Sequence, residues 1–345
     1  MTKRPTHMKA IILSEKKADL TLCEMEILPL NAGEVRVKIQ AAAFNRRDYY
    51  IQQGQYPNIK YPLILGSDGA GIVSEIGENV PSHWQNKAVI INPSHNWGNN
   101  PKVQAQDFQI LGLPEHGTFA EYVKVPCQYL AEKPDFLSFE EAAALPLAGL
   151  TAYRALFSRA QLQAGENVLI TGIGGGAAVF ALQFALAKGA NVYVTSSSPE
   201  KIAKAVALGA KGGVNYKEAD WHKQLQKMTG GFDVIIDSAG GEGFALLADV
   251  ANPGGRIAIF GGTRGAITNL SPQKIFWKQL SILGTTMGNE ADFAEMGAFV
   301  TKHQIRPVID SVFPVEMAQK AIEKMGDSRQ MGKIVLGFVH ADLRR

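Results

Sequence analysis

Cysteine is scarce in this chain, and neither sign of charge is in large excess. Cys23 and Cys127 are the two cysteines among 345 residues. They are too few for a disulfide framework, so we expect a reducing, cytoplasmic setting in which both are buried as small apolar residues. The 35 basic residues against 32 acidic ones give a net charge of +3, with no dense basic block. A nucleic-acid partner is therefore not expected.

Long apolar runs are missing as well. Charged residues interrupt the apolar stretches within a few positions, and none approaches the roughly 20 residues of a membrane span. Residues 1–7 are polar and lack the features of a secretory signal. A hydrophobic content of 46% is ordinary for a globular protein. At roughly 150 residues per domain, the length predicts about two soluble domains and no membrane partner.

Residue patterns divide the chain near Ser138. Before this point the pattern is β-like: residues 35–40 alternate apolar and charged side chains, 69–73 and 88–91 resemble short strands, and 92–117 read as a polar loop. Ser138 and Glu141 then form a capping box that predicts a helix over 139–145.

From there strands and helices alternate. The predicted strands are 167–171, 191–195, 232–237, 256–260 and 281–284, and the predicted helices are 177–188 and 198–208. Strands joined by helices indicate βαβ units and a parallel sheet with both faces covered. A further helix at 315–325 and a last strand at 333–337 complete the predicted α/β fold.

A glycine-rich turn stands between the strand at 167–171 and the following apolar helix. Its residues are Gly172, Gly174, Gly175, Gly176 and Ala177. In this context the glycines permit a sharp turn whose N–H groups meet a pyrophosphate at the helix N-terminus. The alternative is a tight strand-to-helix turn without a ligand.

The end of the next strand indicates which dinucleotide binds. NAD enzymes carry an acid there for the ribose 2′-hydroxyl, whereas residues 195–198 read Thr-Ser-Ser-Ser. Serine hydroxyls and Lys201 can instead bind a 2′-phosphate. We therefore expect NADP(H), and we interpret the nearby Glu200 as a helix-dipole residue.

Several ordered motifs resemble the medium-chain dehydrogenase/reductase superfamily, in particular its zinc-free quinone oxidoreductase branch. They lie at 43–48, 66–71, 117–122, 147–152, 172–178 and 332–336, so the likeness covers nearly the whole chain. The resemblance implies a GroES-like, β-rich catalytic domain formed by 1–131 and 293–345. It also implies an inserted Rossmann domain, a doubly wound parallel sheet, at 132–292, and a substrate cleft between the two.

The resemblance also implies that no metal is bound. Zinc alcohol dehydrogenases of this superfamily place a cysteine ligand where this chain has Asn45, and Gly-His-Glu where it has Gly66-Ser67-Asp68. Their structural zinc lobe carries four cysteines, whereas 93–117 contains none. Tetrahedral zinc sites need several cysteine or histidine ligands. We therefore predict a metal-free site.

By the same resemblance, Asn45, Tyr50 and Tyr56 are the candidate catalytic residues, with Tyr50 as a proton donor to the nascent enolate. Candidate cofactor residues, besides the glycine-rich turn, are Thr151, Ser197, Lys201, Tyr216, Phe260, Gly261, Met287, Asn289 and Lys333. Structural roles remain open for several of them: Tyr50 in a hydrophobic wall, Thr151 at a helix start, and Lys201 on a solvated helix face. We expect Asp48 to cap a turn, and we leave His95 and Trp97 outside the site as exposed loop residues.

Without zinc as a Lewis acid, conjugate reduction is easier than alcohol oxidation. The predicted function is therefore NADPH-dependent reduction of a quinone or an α,β-unsaturated carbonyl (enone). Two alternatives stay open: an enoyl-thioester reductase, and a non-catalytic NADPH-binding protein with a structural or regulatory role. Family habit further predicts a homodimer that pairs through the sheet edge near 281–286.

Overall fold

The computed structural model of the chain describes residues 6–338, which divide into two compact units. Unit 1 consists of the described residues up to Leu147 and from Gly288 onward, and unit 2 consists of Ala148–Met287. The boundaries predicted from the sequence are 131/132 and 292/293. Unit 1 extends further because the helix Phe139–Ala144 packs against its strands.

The strands of both units are numbered in chain order. They are β1 (His7–Leu13), β2 (Thr21–Glu26), β3 (Glu34–Ala43), β4 (Leu63–Ile64), β5 (Asp68–Ile76), β6 (Ala88–Ile91), β7 (Ser94–His95), β8 (Gln109–Ile110), β9 (Tyr122–Pro126), β10 (Leu130–Glu132), β11 (Asn167–Ile170), β12 (Asn191–Ser196), β13 (Gly212–Asn215), β14 (Phe232–Asp237), β15 (Ala251–Ile259), β16 (Ser281–Gly284), β17 (Ile309–Pro314) and β18 (Lys333–Gly337).

The α-helices are also numbered in chain order. They are α1 (Arg46–Gln52), α2 (Phe139–Ala144), α3 (Pro146–Tyr153), α4 (Gly176–Ala187), α5 (Pro199–Ala207), α6 (Trp221–Thr229), α7 (Phe244–Val250), α8 (Pro272–Trp277), α9 (Glu290–His303) and α10 (Ala318–Gly326). A π-helical turn, Arg154–Arg159, continues α3. None of the helices within residues 6–338 is long and apolar enough to cross a membrane.

Unit 1 is built around a largely antiparallel sheet in the order β10-β6-β5-β3-β18-β17, with β9 also paired to β3. β3 alternates half-buried and buried residues along Glu34–Gln40, as its charged and apolar side chains predict. β18 pairs antiparallel with β3, so the last described strand returns to the centre of the sheet built by the first third of the chain. Segments far apart in sequence therefore share one core.

Unit 2 is a parallel sheet in the order β13-β12-β11-β14-β15-β16, in which every neighbouring pair is parallel. This is the doubly wound dinucleotide-binding order, in which the direction of strand addition reverses beside β11. α4 is almost wholly apolar and mostly buried, as a helix covering such a sheet must be. The predicted Rossmann-type α/β fold and the GroES-like fold of unit 1 are thus both found.

The structure differs from the sequence predictions at two kinds of position. Cys23 is exposed on β2, because its side chain lies on the outer face of that strand, and Cys127 is half-buried, so the prediction of two buried cysteines is wrong. Trp97, predicted to be exposed, is 3% exposed because its indole N–H donates to Asn100 O (3.0 Å) and its ring packs edge-on against Phe108. His95 stacks on Tyr129, and burial lowers the pKa of its imidazole to about 4.

Candidate active site

The glycine-rich turn of unit 2 has a backbone that requires glycine. Gly172 has φ +63° and Gly174 has φ +139°, conformations that L side chains rarely adopt. Gly175 then caps α4, whose first turn carries no acidic residue. The first N–H groups of a helix have no partner within it, and the helix dipole favours an anion there. The turn therefore fits the pyrophosphate of a dinucleotide.

Strand ends beside the turn hold it in shape. The Thr171 hydroxyl donates to Asp237 Oδ1 (2.5 Å) at the end of β14, and the amides of Ala239 and Gly240 donate to Oδ2. Burial raises the pKa of the Asp237 carboxyl above its ordinary value. On the other side, Gly172 N donates to Thr195 Oγ1 (3.1 Å) on β12. The turn is thus anchored to both neighbours of β11.

The residues predicted for the 2′-phosphate lie around one corner of the same sheet edge. β12 ends at Ser196 and is paired there with Asn215 of β13, so Ser197 and Tyr216 follow adjacent strand ends. Tyr216 N donates to Ser196 O (3.1 Å). Lys201 lies in the first turn of α5, behind the cap that Ser198 Oγ provides to its amide. The structure brings this corner together without an acidic residue at the end of β12.

The remaining cofactor candidates fall into two groups. Within unit 2, Phe260 and Gly261 come directly after β15. The amide of Phe260 donates to Asp237 O, and Gly261 is packed so tightly that a Cβ would lie 2.4 Å from Ser238 O. Thr151 Oγ1 lies 4.0 Å from Met287 Sδ. Asn289 belongs instead to unit 1, where its side chain caps α9 by accepting from Asp292 N (2.8 Å). Helix capping is therefore the role that its contacts give to Asn289.

In unit 1, Asn45 is part of a buried three-residue network. Its Nδ2 donates to Asp68 Oδ2 (2.9 Å), and its Oδ1 accepts from Lys333 Nζ (2.7 Å). Lys333 Nζ in turn lies 2.9 Å from Asp68 Oδ2, with both side chains almost fully buried. Asp68 Oδ1 accepts from Leu147 N (2.8 Å). Lys333, a candidate cofactor residue by resemblance, thus has its ammonium inside this network.

Strand register explains how residues 288 positions apart in sequence meet. β3 ends at Ala43, which pairs with Asp68 at the start of β5 and with Val335 of β18. Asn45, Asp68 and Lys333 therefore stand at the same end of three central strands. Because β3 runs antiparallel to both β5 and β18, pairing of these three strands places the three residues at one end of the sheet.

Asp48 extends the same buried region. Its Oδ2 accepts from Asn45 N (2.7 Å) and its Oδ1 from Gly66 N (3.2 Å), so it fixes the start of α1 against the segment before β5. Burial raises the pKa of the Asp48 carboxyl to about 6, although the positive charge of Arg47 opposes this shift. The prediction that Asp48 caps a turn agrees with these contacts.

Tyr50 and Tyr56, the other catalytic candidates, are half-buried. Tyr50 lies on α1 with its ring 6.0 Å from that of Tyr49. Within residues 6–338, none of the hydrogen bonds of the Asn45 network involves Tyr50. The guanidinium of Arg47 lies over the ring of Tyr56, with its Cζ 5.7 Å from the ring centroid. Of the three candidates, Asn45 is embedded in the network and Tyr56 adjoins it through Arg47.

Arg47, Ser67 and Asp68 were not predicted as site residues. Arg47 Nη1 donates to Ser67 Oγ (2.6 Å) and Leu111 O (2.9 Å), and the side chain is buried. A signal was available, because two arginines begin α1, where the helix dipole disfavours cations. Such a cation needs a reason other than helix stability.

The donor set of this region does not fit a zinc ion. The network and Ser67 supply an amide, a hydroxyl and the Asp68 carboxylate, which is paired with the ammonium of Lys333, and the nearby Asp48 carboxylate accepts from two backbone amides. A divalent cation on Asp68 would be repelled by the ammonium beside it. No cluster of three histidine, cysteine, aspartate or glutamate side chains able to hold a metal occurs in residues 6–338.

Comparison with known proteins gives the family. The chain matches the family models "Alcohol dehydrogenase GroES-like domain" over residues 31–135 and "Zinc-binding dehydrogenase" over residues 176–302. A zinc-type alcohol dehydrogenase-like protein of Schizosaccharomyces pombe is 37% identical over 318 residues, 89% of this chain and 91% of the relative. The crystal structure of an NAD-dependent alcohol dehydrogenase, 35% identical, superposes with a TM-score of 0.90 over 96% of this chain and 99% of its own.

Other relatives carry names for different reactions. An acryloyl-coenzyme A reductase of Metallosphaera sedula is 30% identical, covering 95% of this chain and 99% of its own length. A quinone oxidoreductase of Rattus norvegicus is 29% identical and covers 88% of each chain. Their names are those of dehydrogenases, reductases and oxidoreductases, and each aligns along 88% or more of this chain. The chain therefore belongs to the medium-chain dehydrogenase/reductase superfamily of nicotinamide-dependent oxidoreductases.

Proposed function

We propose that this protein reduces a quinone or an α,β-unsaturated carbonyl with NADPH and without zinc. The observation that carries the proposal is the Asn45–Asp68–Lys333 network. Asn45 stands where zinc alcohol dehydrogenases of the superfamily carry a cysteine ligand, and Asp68 lies in the segment where they carry Gly-His-Glu. The network satisfies its own charges with the ammonium of Lys333. A site of this composition offers hydrogen-bond donors and fixed charge, but no Lewis acid.

Conjugate reduction suits such a site. Alcohol oxidation requires a base or metal that removes the hydroxyl proton, whereas an electron-poor alkene needs charge stabilisation at its carbonyl oxygen and a proton for its carbon. The bound nicotinamide would supply the hydride. In this chain Tyr50 is the proposed proton donor, and Asn45, held at both ends of its amide, is the proposed positioning residue. Tyr56 is the third proposed site residue.

The preference for NADPH is supported by the corner formed by Ser197, Lys201 and Tyr216. An NAD enzyme would place a carboxylate at the end of β12, and a 2′-phosphate there would be repelled by it. Here hydroxyl groups and a lysine stand around the same strand end. The test is Lys201→Glu, which we expect to weaken NADPH binding far more than NADH binding.

Lys204→Glu is the matched control, because Lys204 lies one turn further along the same helix and is exposed. It makes the same charge change and should leave the ratio of the two dissociation constants almost unchanged. Equal weakening of NADPH and NADH by Lys201→Glu would remove Lys201 from the 2′-phosphate site.

The reaction itself is tested with a panel of quinones, enones, enoyl thioesters and primary alcohols, together with metal analysis of the purified enzyme. We expect NADPH oxidation with quinones or enones, no NADP⁺ reduction with alcohols, and no stoichiometric zinc. Zinc-dependent alcohol oxidation would refute the proposal. Tight NADPH binding without turnover of any acceptor would instead leave a structural or regulatory role.

An enoyl-thioester substrate is the second candidate. It is favoured by the acryloyl-coenzyme A reductase relative, which aligns along 95% of this chain. The chemistry at the alkene is the same, so only the acceptor panel separates the two. A kcat/KM for an enoyl thioester well above that of every quinone and simple enone would select it.

We also propose a homodimer formed through unit 2. β16 lies at the edge of the parallel sheet, and the neighbouring α8 carries Phe276 and Trp277, which are 52% and 79% exposed. Ile282 of β16 is exposed as well. An apolar, unprotected sheet edge is a site at which a second copy can add its own edge strand.

A further inference from the structure

Arg47 is a buried cation whose direct contacts among residues 6–338 are with neutral groups. Its Nη1 donates to the Ser67 hydroxyl and to Leu111 O, and its guanidinium lies over the Tyr56 ring. The side chain is 8% exposed. Asp48 and Asp68 are near enough to act on it electrostatically, yet neither forms an ion pair with it within residues 6–338.

One donor of this guanidinium is unused. Arg47 Nε is buried and has no hydrogen-bond partner in the part of the chain that the structure describes. Burial also lowers the pKa of the guanidinium, the mark of a charge held where it is poorly solvated. A buried unpaired donor is unfavourable by about 1–3 kcal/mol, and an apolar side chain at this position would avoid both penalties. Fold stability therefore does not account for Arg47.

The surroundings of Arg47 suggest what it is for. Ser67 Oγ accepts from Arg47, so the hydroxyl hydrogen of Ser67 is not used in this bond and can donate to another oxygen. The half-buried Tyr56 covers the guanidinium, and it lies in an irregular segment after α1. Displacing this ring would uncover a planar cationic group, which is suited to an oxygen that carries negative charge.

We propose that Arg47 binds the carbonyl oxygen of the acceptor and stabilises the negative charge that develops on it. This inference rests on the proposed function and identifies the residue that stabilises the negative charge formed in that reaction. When hydride is added to the β-carbon, a carbon–hydrogen bond forms there and the π electrons move to the oxygen as an enolate. The two electrons would come from the dihydronicotinamide of bound NADPH, which would become NADP⁺ as the acceptor is reduced, and Tyr50 or water would donate the proton that completes the α-carbon.

The charge tally supports this role. Lys333 pairs directly with Asp68, whereas the carboxylate of Asp48 accepts from Asn45 N and Gly66 N and acts on Arg47 only through its charge. Among the described residues, Arg47 is left as the cation of this region without a direct counter-ion. An enolate oxygen would provide that counter-ion in the transition state, which is when stabilisation accelerates the reaction.

The test compares Arg47→Met with Arg46→Gln. Arg46 precedes Arg47 on the same helix but contacts Met325 O and Ser328 Oγ, away from the network, and so makes a matched control. Loss of one oxyanion donor typically lowers kcat by about 10²–10³. We expect a loss of about this size for Arg47→Met with an enone, an unchanged Kd for NADPH, and less than about a twofold effect for Arg46→Gln.

A second readout separates catalysis from folding. The loss should be larger for a simple enone than for a quinone, because the hydroquinone oxyanion is the weaker base and needs less stabilisation. If Arg47→Met does not fold, Arg47→Lys is the second variant, because it keeps a cation but loses the planar guanidinium. It should fold and lose part of kcat, and the loss should again be larger with an enone than with a quinone. Wild-type enzyme inactive with every acceptor would refute the proposed function. An active wild type whose Arg47 variants keep full kcat, or lose it equally with all acceptors, would refute the role of Arg47.

Discussion

Asp48 provides a prediction that links burial to pH-dependent stability. Its carboxyl is fully buried, and burial raises its pKa from an ordinary 3.8 to about 6. A carboxyl with a raised pKa in the folded state contributes most stability below pH 3.8, and this contribution is lost as the pH rises through 6. The two pKa values differ by about two, which corresponds to about 3 kcal/mol in total.

Asp48→Asn removes the ionisation. The amide oxygen can still accept from one of the two N–H groups that Asp48 now binds, those of Asn45 and Gly66, and the lost second bond lowers stability equally at every pH. The stability of the wild type relative to the variant should therefore fall by about 2 kcal/mol between about pH 4.5 and about pH 7.5, the remainder falling below this range.

Urea unfolding at a series of pH values measures this difference directly. Asp135→Asn, which removes an exposed carboxylate from the same unit, serves as the control and should show almost no pH-dependent difference from the wild type. The argument would be refuted if the difference in unfolding free energy between the wild type and Asp48→Asn stayed constant across this range. It would also be refuted if the wild type became more stable relative to the variant as the pH rises.

Three further predictions concern the turn, the ion pair and the sheet edge. Gly174 has φ +139°, so Gly174→Ala should raise the Kd for NADPH by about tenfold or more in a fluorescence titration, and an unchanged Kd would argue against the turn as the phosphate site. Lys333→Met leaves the buried Asp68 carboxylate without its cation and should destabilise the protein by about 3–5 kcal/mol. Adding Asp68→Asn should recover part of that loss, and in a double-mutant cycle strict additivity would contradict the coupling. Changing the exposed Trp277 and Ile282 to Glu and Lys should halve the mass in sedimentation without changing the melting temperature, and an unchanged mass would exclude this edge as the interface.

The predictable part of the fold is the part with local signals. The capping box of Ser138 with Glu141 begins α2, and Ser198 with Pro199 begins α5, where the sequence places them. β13 has no such signal, because Gly212 and Gly213 have no side chains to alternate, and it forms a strand through its pairing with β12. Burial of Trp97 likewise depends on a tertiary contact with Phe108.

The candidate site divides in the same way. The glycine-rich turn is contiguous, and its strand and helix neighbours can be recognised locally, so its residues could be named in advance. The unit 1 network is not contiguous: Asn45, Asp68 and Lys333 meet only through the register of three antiparallel strands. Resemblance supplied Asn45 and Lys333 as separate candidates, but nothing in the sequence indicated that one carboxylate joins them.

That carboxylate also explains why the arginines at the start of α1 differ. Arg46 reaches outward to Met325 O and Ser328 Oγ, where a cation is easily solvated. Arg47, one position further on, turns inward toward a region whose single network carboxylate, Asp68, is already bound to Lys333. The ion pair of Lys333 with Asp68 therefore leaves Arg47 without a direct counter-ion among the described residues, as its proposed role requires.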